Sequence, residues 1–285
     1  MKVVVVYKKS AWELFSGSKD PNVTAFMSEL GRDATFFKSS HDTQKQSLGT
    51  VADTLKNAGE DVSLLYRSDL DSKLFRDIDL AVSVGGDGTF LETSHFVGDT
   101  TPVLGVNSDP ARSVGFFSAC DGPGFPKLFA ELAETPRTEL SRGEVLIDGK
   151  VTGPPVLNDV LFANPNPAAT TRYRIGEEKF RNSGLIACTA AGSTAWMFQE
   201  GGEPMPLDAR KLQILHRGTR GAVPEFANSL VLESLTRRGE LFIDGEHLSY
   251  PLAIGQTLEL RSGRPLHVVG DLSRKREEFL ANYYP

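Results

Sequence analysis

The chain has 285 residues, 40% hydrophobic and 24% charged, an ordinary composition for a soluble globular enzyme with room for two domains. Its 31 basic residues are outnumbered by 37 acidic ones, and the net charge of −6 argues against a nucleic-acid partner, so an anionic substrate must be met by local groups. Cys120 and Cys188 form no disulfide framework or metal-ligand spacing, which fits a reducing cytoplasm, and no apolar stretch approaches the roughly 20 residues of a membrane span.

The first predicted element is a strand over Val3–Tyr7, too short for the core of a signal peptide. A variable segment leads to a helix near Asn22–Leu30, then to an amphipathic helix from His41 or Asp42 to Asn57, with Gly59 as its stop. Asp61–Tyr66, Leu80–Val84 and Val103–Val106 read as the next strands. Strands alternating with helices imply a parallel sheet in an α/β domain, with ligand loops at the strand C-termini.

One such end carries Gly85-Gly86-Asp87-Gly88-Thr89, followed by a helical stretch from Phe90 to Phe96. Three glycines in five positions permit positive φ and exposed N–H groups, a nest for phosphate oxygens at a helix N-terminus. A carboxylate at its centre suits a group that holds a metal ion or takes a proton from a hydroxyl attacking phosphorus. The loop therefore points to phosphoryl transfer with Asp87 as the acid–base residue. A tight Asp-Gly turn without chemistry is the alternative reading.

From about Arg137 short strands and turns replace helices, the mark of a β-rich unit: Glu139–Ile147, Val156–Ala163, Thr171–Ile175, Gly184–Thr189, Leu230–Glu233, Glu240–Ile243 and Thr257–Arg261. Asp148-Gly149 and Asp244-Gly245 read as hairpin turns. Asn158-Asp159 interrupts an otherwise apolar strand, and the pair offers donors and acceptors suited to a base and a ribose, or else marks a β-bulge. Ser183–Trp196 runs from an apolar strand into small residues, where Thr189, Ser193 and Thr194 supply hydroxyls for a ligand or cap a helix. Between residues 200 and 228, Arg217 and Arg220 read as solvated loop charges, with donor-phosphate or subunit contacts as alternatives. A charged, helix-compatible segment, Ser273–Asn282, closes the chain.

In this order and spacing the GGDGT loop, the Asn158-Asp159 pair and the segment Thr189-Ala190-Ala191-Gly192-Ser193-Thr194-Ala195 resemble the NAD kinase family. The stretches Arg76–Leu80, Gly105–Pro110 and Leu157–Ala163 look most like its plant-type NADH kinase branch. The resemblance implies an α/β N-terminal domain with a parallel sheet (1–135), a mainly β dinucleotide-binding domain (136–270), and a C-terminal helix (271–285) packing on the first. It implies transfer of the terminal phosphoryl group of ATP to the 2′-hydroxyl of the adenosine ribose of NADH or NAD, with Mg²⁺ carried on the nucleotide and no protein-held metal. A lipid or sugar hydroxyl as acceptor, or a non-catalytic dinucleotide sensor, are the alternatives. By the same resemblance Asp87 acts on the 2′-hydroxyl, and Gly85, Gly86, Gly88, Thr89 and Arg181 surround phosphates. Asn158 meets the adenine, Asp159 the nicotinamide ribose, and Thr189, Ser193, Thr194 and Ala195 line the adenine pocket. A cytoplasmic homodimer is expected. Four departures stand out: Asn158-Asp159 stands where many bacterial members carry Asn-Glu, Asn182-Ser183-Gly184-Leu185 lacks the carboxylate of the common Gly-Asp-Gly-Leu, Thr189-Ala190-Ala191 replaces the common Thr-Pro-Thr, and Trp196 stands where tyrosine is usual.

Overall fold

The computed structural model describes residues 1–29 and 33–283, and the chain separates into two compact units. The first comprises 1–138 and 267–272; the second comprises 139–266 and the residues from 273 onward.

The first unit is built on a sheet whose strands run in the order Asp61–Tyr66, Lys2–Tyr7, Leu80–Gly85, Val103–Asn107, Leu266–Val269 and Arg137–Leu140, with Ser118–Asp121 also paired to Val103–Asn107. The first four are mutually parallel and in continuous register. Lys2–Tyr7, Leu80–Gly85 and Val103–Asn107 are buried almost end to end, as expected of parallel strands covered on both faces. Val5, Val82, Leu104, Val51 and Leu55 meet in the core, the last two from the helix Asp33–Asn57. That helix begins earlier than the sequence reading placed it, and Gly59 ends it at φ 79°. A shorter helix spans Pro21–Glu29; Leu30, the predicted end of that helix, lies outside the described residues.

The second unit contains two six-stranded antiparallel sheets. One runs Glu178–Asn182, Thr171–Ile175, Ser229–Ser234, Thr257–Ser262, Gly143–Ile147, Lys150–Val151. The other runs Glu225–Ala227, Leu212–Arg217, Gly184–Cys188, Asp159–Ala163, Gly239–Ile243, Leu248–Leu252. Tyr173, Leu258 and Leu260 of one sheet pack with Phe162, Leu185 and Leu241 of the other in a single core. Alternation along Asp159–Ala163 and Gly184–Cys188 sends Leu161, Ala163, Ile186 and Cys188 to the opposite face, against Met197 and Trp196.

Two expectations require correction. The single strand predicted over Glu139–Ile147 is two, Arg137–Leu140 and Gly143–Ile147, because Arg142 between them is buried and donates to the carbonyls of Arg264 and Pro265. The C-terminal segment does return to the first unit, but as the strand Leu266–Val269, whose Val268 pairs in parallel with Val103. The helix Leu272–Tyr283, expected on the first domain as 271–285, groups instead with the second unit from Ser273 onward. Arg276 fixes it there: its guanidinium is 4% exposed and donates to the carbonyls of Ala190 (3.1 Å), Ala191 (3.2 Å) and Met205, and to Ser193 Oγ (2.9 Å).

Candidate active site

In the first unit the GGDGT loop sits at the carboxyl end of Leu80–Gly85, where the strand passes directly into the helix Asp87–Ser94. Its glycines serve a purpose other than the one the sequence suggested. None of Gly85, Gly86 and Gly88 has positive φ. A Cβ on Gly85 would lie 2.3 Å from Thr89 Oγ1 and 2.5 Å from Thr89 Cβ, so close approach requires that glycine, while one on Gly86 would lie 2.6 Å from the rotatable Ser113 Oγ. A Cβ on Gly88 would meet only the guanidinium of Arg67, 4.0 Å away, and Gly88 is exposed. Thr89 is buried, and its Oγ1 has no hydrogen-bond partner among the described residues.

Asp87 is the first residue of the helix and is half-buried. Its Oδ1 accepts the backbone N–H of Phe117 at 3.0 Å, while Oδ2 has no partner among the described residues. The segment that supplies this N–H is itself held in place. Phe117 stacks on Phe90 of the helix at 4.8 Å, and Asn107 ties the intervening turn through Ser113 O and the N–H of Asp109. One carboxylate oxygen is thus anchored, and the residue belongs to the first turn of a helix, where a negative charge is favoured.

In the second unit Asn158 precedes and Asp159 begins the strand Asp159–Ala163, and they are 9% and 5% exposed. They are held from 85 residues away. The Asp244 carboxylate accepts the N–H groups of Leu157 (2.8 Å), Asn158 (2.7 Å) and Asp159 (3.0 Å), and its own N–H donates to Asp159 O (2.9 Å). Asp244 and Gly245, at φ 50° and 116°, do form the hairpin turn between Gly239–Ile243 and Leu248–Leu252, so the turn and the site are one feature. Burial, then the neighbouring Asp244 charge, pushes the Asp159 carboxyl up to about 7. Asn158 Oδ1 is buried without a partner among the described residues, an arrangement that costs energy unless something else donates to it.

The Thr189–Ala195 segment lies directly against this turn. Thr189 N–H donates to Asn158 O (2.9 Å), Thr189 Oγ1 donates to Leu157 O, and a Cβ on Gly192 would lie 2.2 Å from Asn158 O. Thr189 and Ser193 therefore spend their hydroxyls inside the protein. Ser193 Oγ, fully buried, donates to Ala190 O and accepts from Met205 N–H and Arg276. Neither Ser193 nor Thr194 caps a helix: the turn Ala191–Thr194 and the helix Trp196–Gln199 have no side-chain cap. Thr194 and Ala195 stay partly exposed.

Arg181 is not brought to this constellation. It is exposed on Glu178–Asn182, an edge strand of the other sheet, and precedes Gly184, the end of Gly184–Cys188 opposite to Thr189. In place of the missing carboxylate, Asn182 closes the turn by accepting from Gly184 N–H and donates to Tyr173 Oη, which also bonds His216. Trp196 is accounted for as well: its indole N–H donates to Glu200 and its ring carries Arg217, which pairs with Glu200 at 2.8 Å. Arg217 is thus engaged within the unit, and Arg220 is an exposed loop residue. Sequence reading missed Arg276 altogether, since a lone arginine in a charged helix carries no local sign of burial.

The model for the ATP-NAD kinase N-terminal domain matches residues 19–134. A "Probable NADH kinase" of Oryza sativa subsp. japonica is 31% identical, the match covering 78% of this chain and 79% of the relative. The "NADH kinase" of Arabidopsis thaliana is 29% identical over 71% and 75% of the two chains. Two solved structures share the fold: yeast NADH kinase complexed with NADH (TM-score 0.75, 15% identity, 100% of this chain and 88% of the other) and an NAD kinase from Archaeoglobus fulgidus in complex with ATP (TM-score 0.68, 19% identity, 99% and 98%). The chain belongs to the NAD kinase family.

Proposed function

We infer that this protein transfers the terminal phosphoryl group of ATP to the 2′-hydroxyl of the adenosine ribose of NADH or NAD, giving NADPH or NADP. The observation that carries the reading is Asp87, with Oδ1 pinned by Phe117 N–H and Oδ2 unpartnered at a strand-to-helix junction in a member of this family. Oδ2 accepts the hydrogen of the attacking hydroxyl as its oxygen forms the new bond to phosphorus and ADP leaves. The first-turn amides of Asp87–Ser94 meet phosphate oxygens. Asn158, whose Oδ1 is buried and unpaired, receives the amino group of adenine, and Asp159 meets ribose hydroxyls.

Mg²⁺ enters as part of the donor, where it spreads the charge on the transferring phosphate. NADH is the favoured acceptor, in line with the two plant relatives named NADH kinase. The enzyme works in the cytoplasm as a homodimer: a chain with only two cysteines, Cys120 and Cys188, and no disulfide framework suits a reducing compartment, and the edge strand Glu225–Ala227 carries Phe226, 44% exposed, for pairing. The deciding experiment supplies purified protein with ATP and Mg²⁺ and compares NADH with NAD, scoring NADPH and NADP. A clearly higher kcat/KM for NADH is expected; no product from either, with dinucleotide binding intact, overturns the kinase reading.

A further inference from the structure

Phosphoryl transfer needs cations against the donor's phosphates, and the GGDGT loop has none of its own. The fold of the first unit supplies them. Tyr66, Tyr7 and Val84 are register partners on three adjacent parallel strands, so the residues that follow them, Arg67, Lys8 and Gly85, stand side by side at the carboxyl edge of the sheet. From the first strand the chain crosses to one side for Asp61–Tyr66, then to the other for Leu80–Gly85. That reversal marks the crevice where open α/β sheets take ligands.

The two cations are poorly compensated. Lys8 is partly buried and makes no hydrogen bond or ion pair among the described residues. Burial, then the like charge of Arg67, holds its ammonium below the usual lysine range. The one opposing carboxylate that acts on it, Asp109, is already engaged by Arg112 at 3.1 Å and Ser40 at 2.6 Å. Arg67 makes a 3.4 Å pair with Glu92 and reaches the exposed Gly88 of the loop. Beside Lys8 a cavity of about 240 Å³ offers Ser10, His41 and Gln44 as polar partners and Leu64 and Val84 as an apolar wall. Two neighbouring like charges, one of them unpaired and partly buried, are costly unless an anion joins them.

We propose that Lys8 and Arg67 bind the polyphosphate chain of the phosphoryl donor, with its nucleoside in the adjoining cavity. This rests on the kinase reading above but is tested without turnover. Calorimetric titration of the wild-type chain compares Mg-ATP, inorganic tripolyphosphate and adenosine. Lys8→Met and Arg67→Met are each expected to weaken Mg-ATP and tripolyphosphate about 10- to 100-fold and to leave adenosine unchanged. Lys8→Arg restores part of the loss, which separates lost charge from misfolding, and NADH affinity stays within about twofold of wild type. If tripolyphosphate binds as tightly as Mg-ATP, the cations hold the phosphates but the cavity takes no nucleoside, and that half of the proposal falls. Equal Mg-ATP affinity in wild type and both Met variants, or no Mg-ATP binding at all, overturns the whole. Cation-dependent Mg-ATP binding in a protein that phosphorylates neither NADH nor NAD would retain this site and remove the kinase reading alone.

Discussion

The GGDGT loop of the first unit and the Asn158-Asp159 turn of the second solve the same problem in opposite ways. Both hold a polar residue at the end of a buried strand, and both are tightened by a glycine lying under backbone or side chain, Gly85 against Thr89 and Gly192 against Asn158. In the first, the central carboxylate is itself the acceptor: Asp87 Oδ1 takes Phe117 N–H. In the second, a different carboxylate does the holding: Asp244 gathers three consecutive N–H groups and leaves the Asn158 and Asp159 side chains uncommitted to the turn. The first loop therefore tolerates one chemistry at its centre, while the second separates scaffold from recognition. Changes in the first are expected to reach turnover, and changes in the second to reach stability and dinucleotide affinity.

The largest effect expected is on turnover. Asp87→Asn removes the proposed proton acceptor and is expected to lower kcat by about a thousandfold, with dinucleotide affinity measured by fluorescence titration retained. An equal loss of affinity would erase the contrast drawn between the two loops. Next is Asp244→Ala, which strips three buried N–H groups of their acceptor and costs about 3 kcal/mol in denaturant unfolding, with a raised KM for NADH. Arg276→Met, by releasing the Thr189–Ala195 segment, shifts KM in the same direction with less change in kcat.

Gly192→Ala drives a methyl into Asn158 O and costs about 2 kcal/mol, whereas Gly88→Ala, with open space around it, costs under about 0.5 kcal/mol. Equal costs at these two positions would break the distinction between a packed and an exposed glycine.

A gentler effect is spread over pH. The folded Asp159 carboxyl, at about 7, holds its proton where the unfolded one, near 3.8, has lost it. The native state thus binds more protons between those values, and stability falls as pH rises from about 4 to about 7, then levels. Asp159→Asn is expected to flatten that part of the melting-temperature profile; an unchanged slope would show that the carboxyl is not the group responsible.

Much of the first unit was legible because its signals are local. Apolar runs such as Val3–Val6 and Leu80–Val84, each followed by a helical stretch, specify parallel strands, and a glycine-rich loop following one of them marks its ligand end. Asn158-Asp159 was equally visible, since two polar residues in an apolar run need partners wherever they fold. The hydroxyls of Thr189 and Ser193 misled the reading, because a sequence shows a donor but not which carbonyl accepts from it. They donate to Leu157 O and Ala190 O. Arg181 misled it because proximity in sequence to Gly184 said nothing of the hairpin that carries it to another sheet.

By itself, then, the sequence determined the strand and helix alphabet, the two textures of the chain, and the three motifs that mark the family. Those follow from periodicity and composition within windows of a few residues. Only the tertiary structure decided that Asp244 clasps a turn 85 residues before it, that Arg276 pins the Thr189–Ala195 segment, and that Lys8, Arg67 and Gly85 stand abreast. Each depends on the register of strands distant along the chain, and register is set by which buried faces meet, not by any short stretch of sequence.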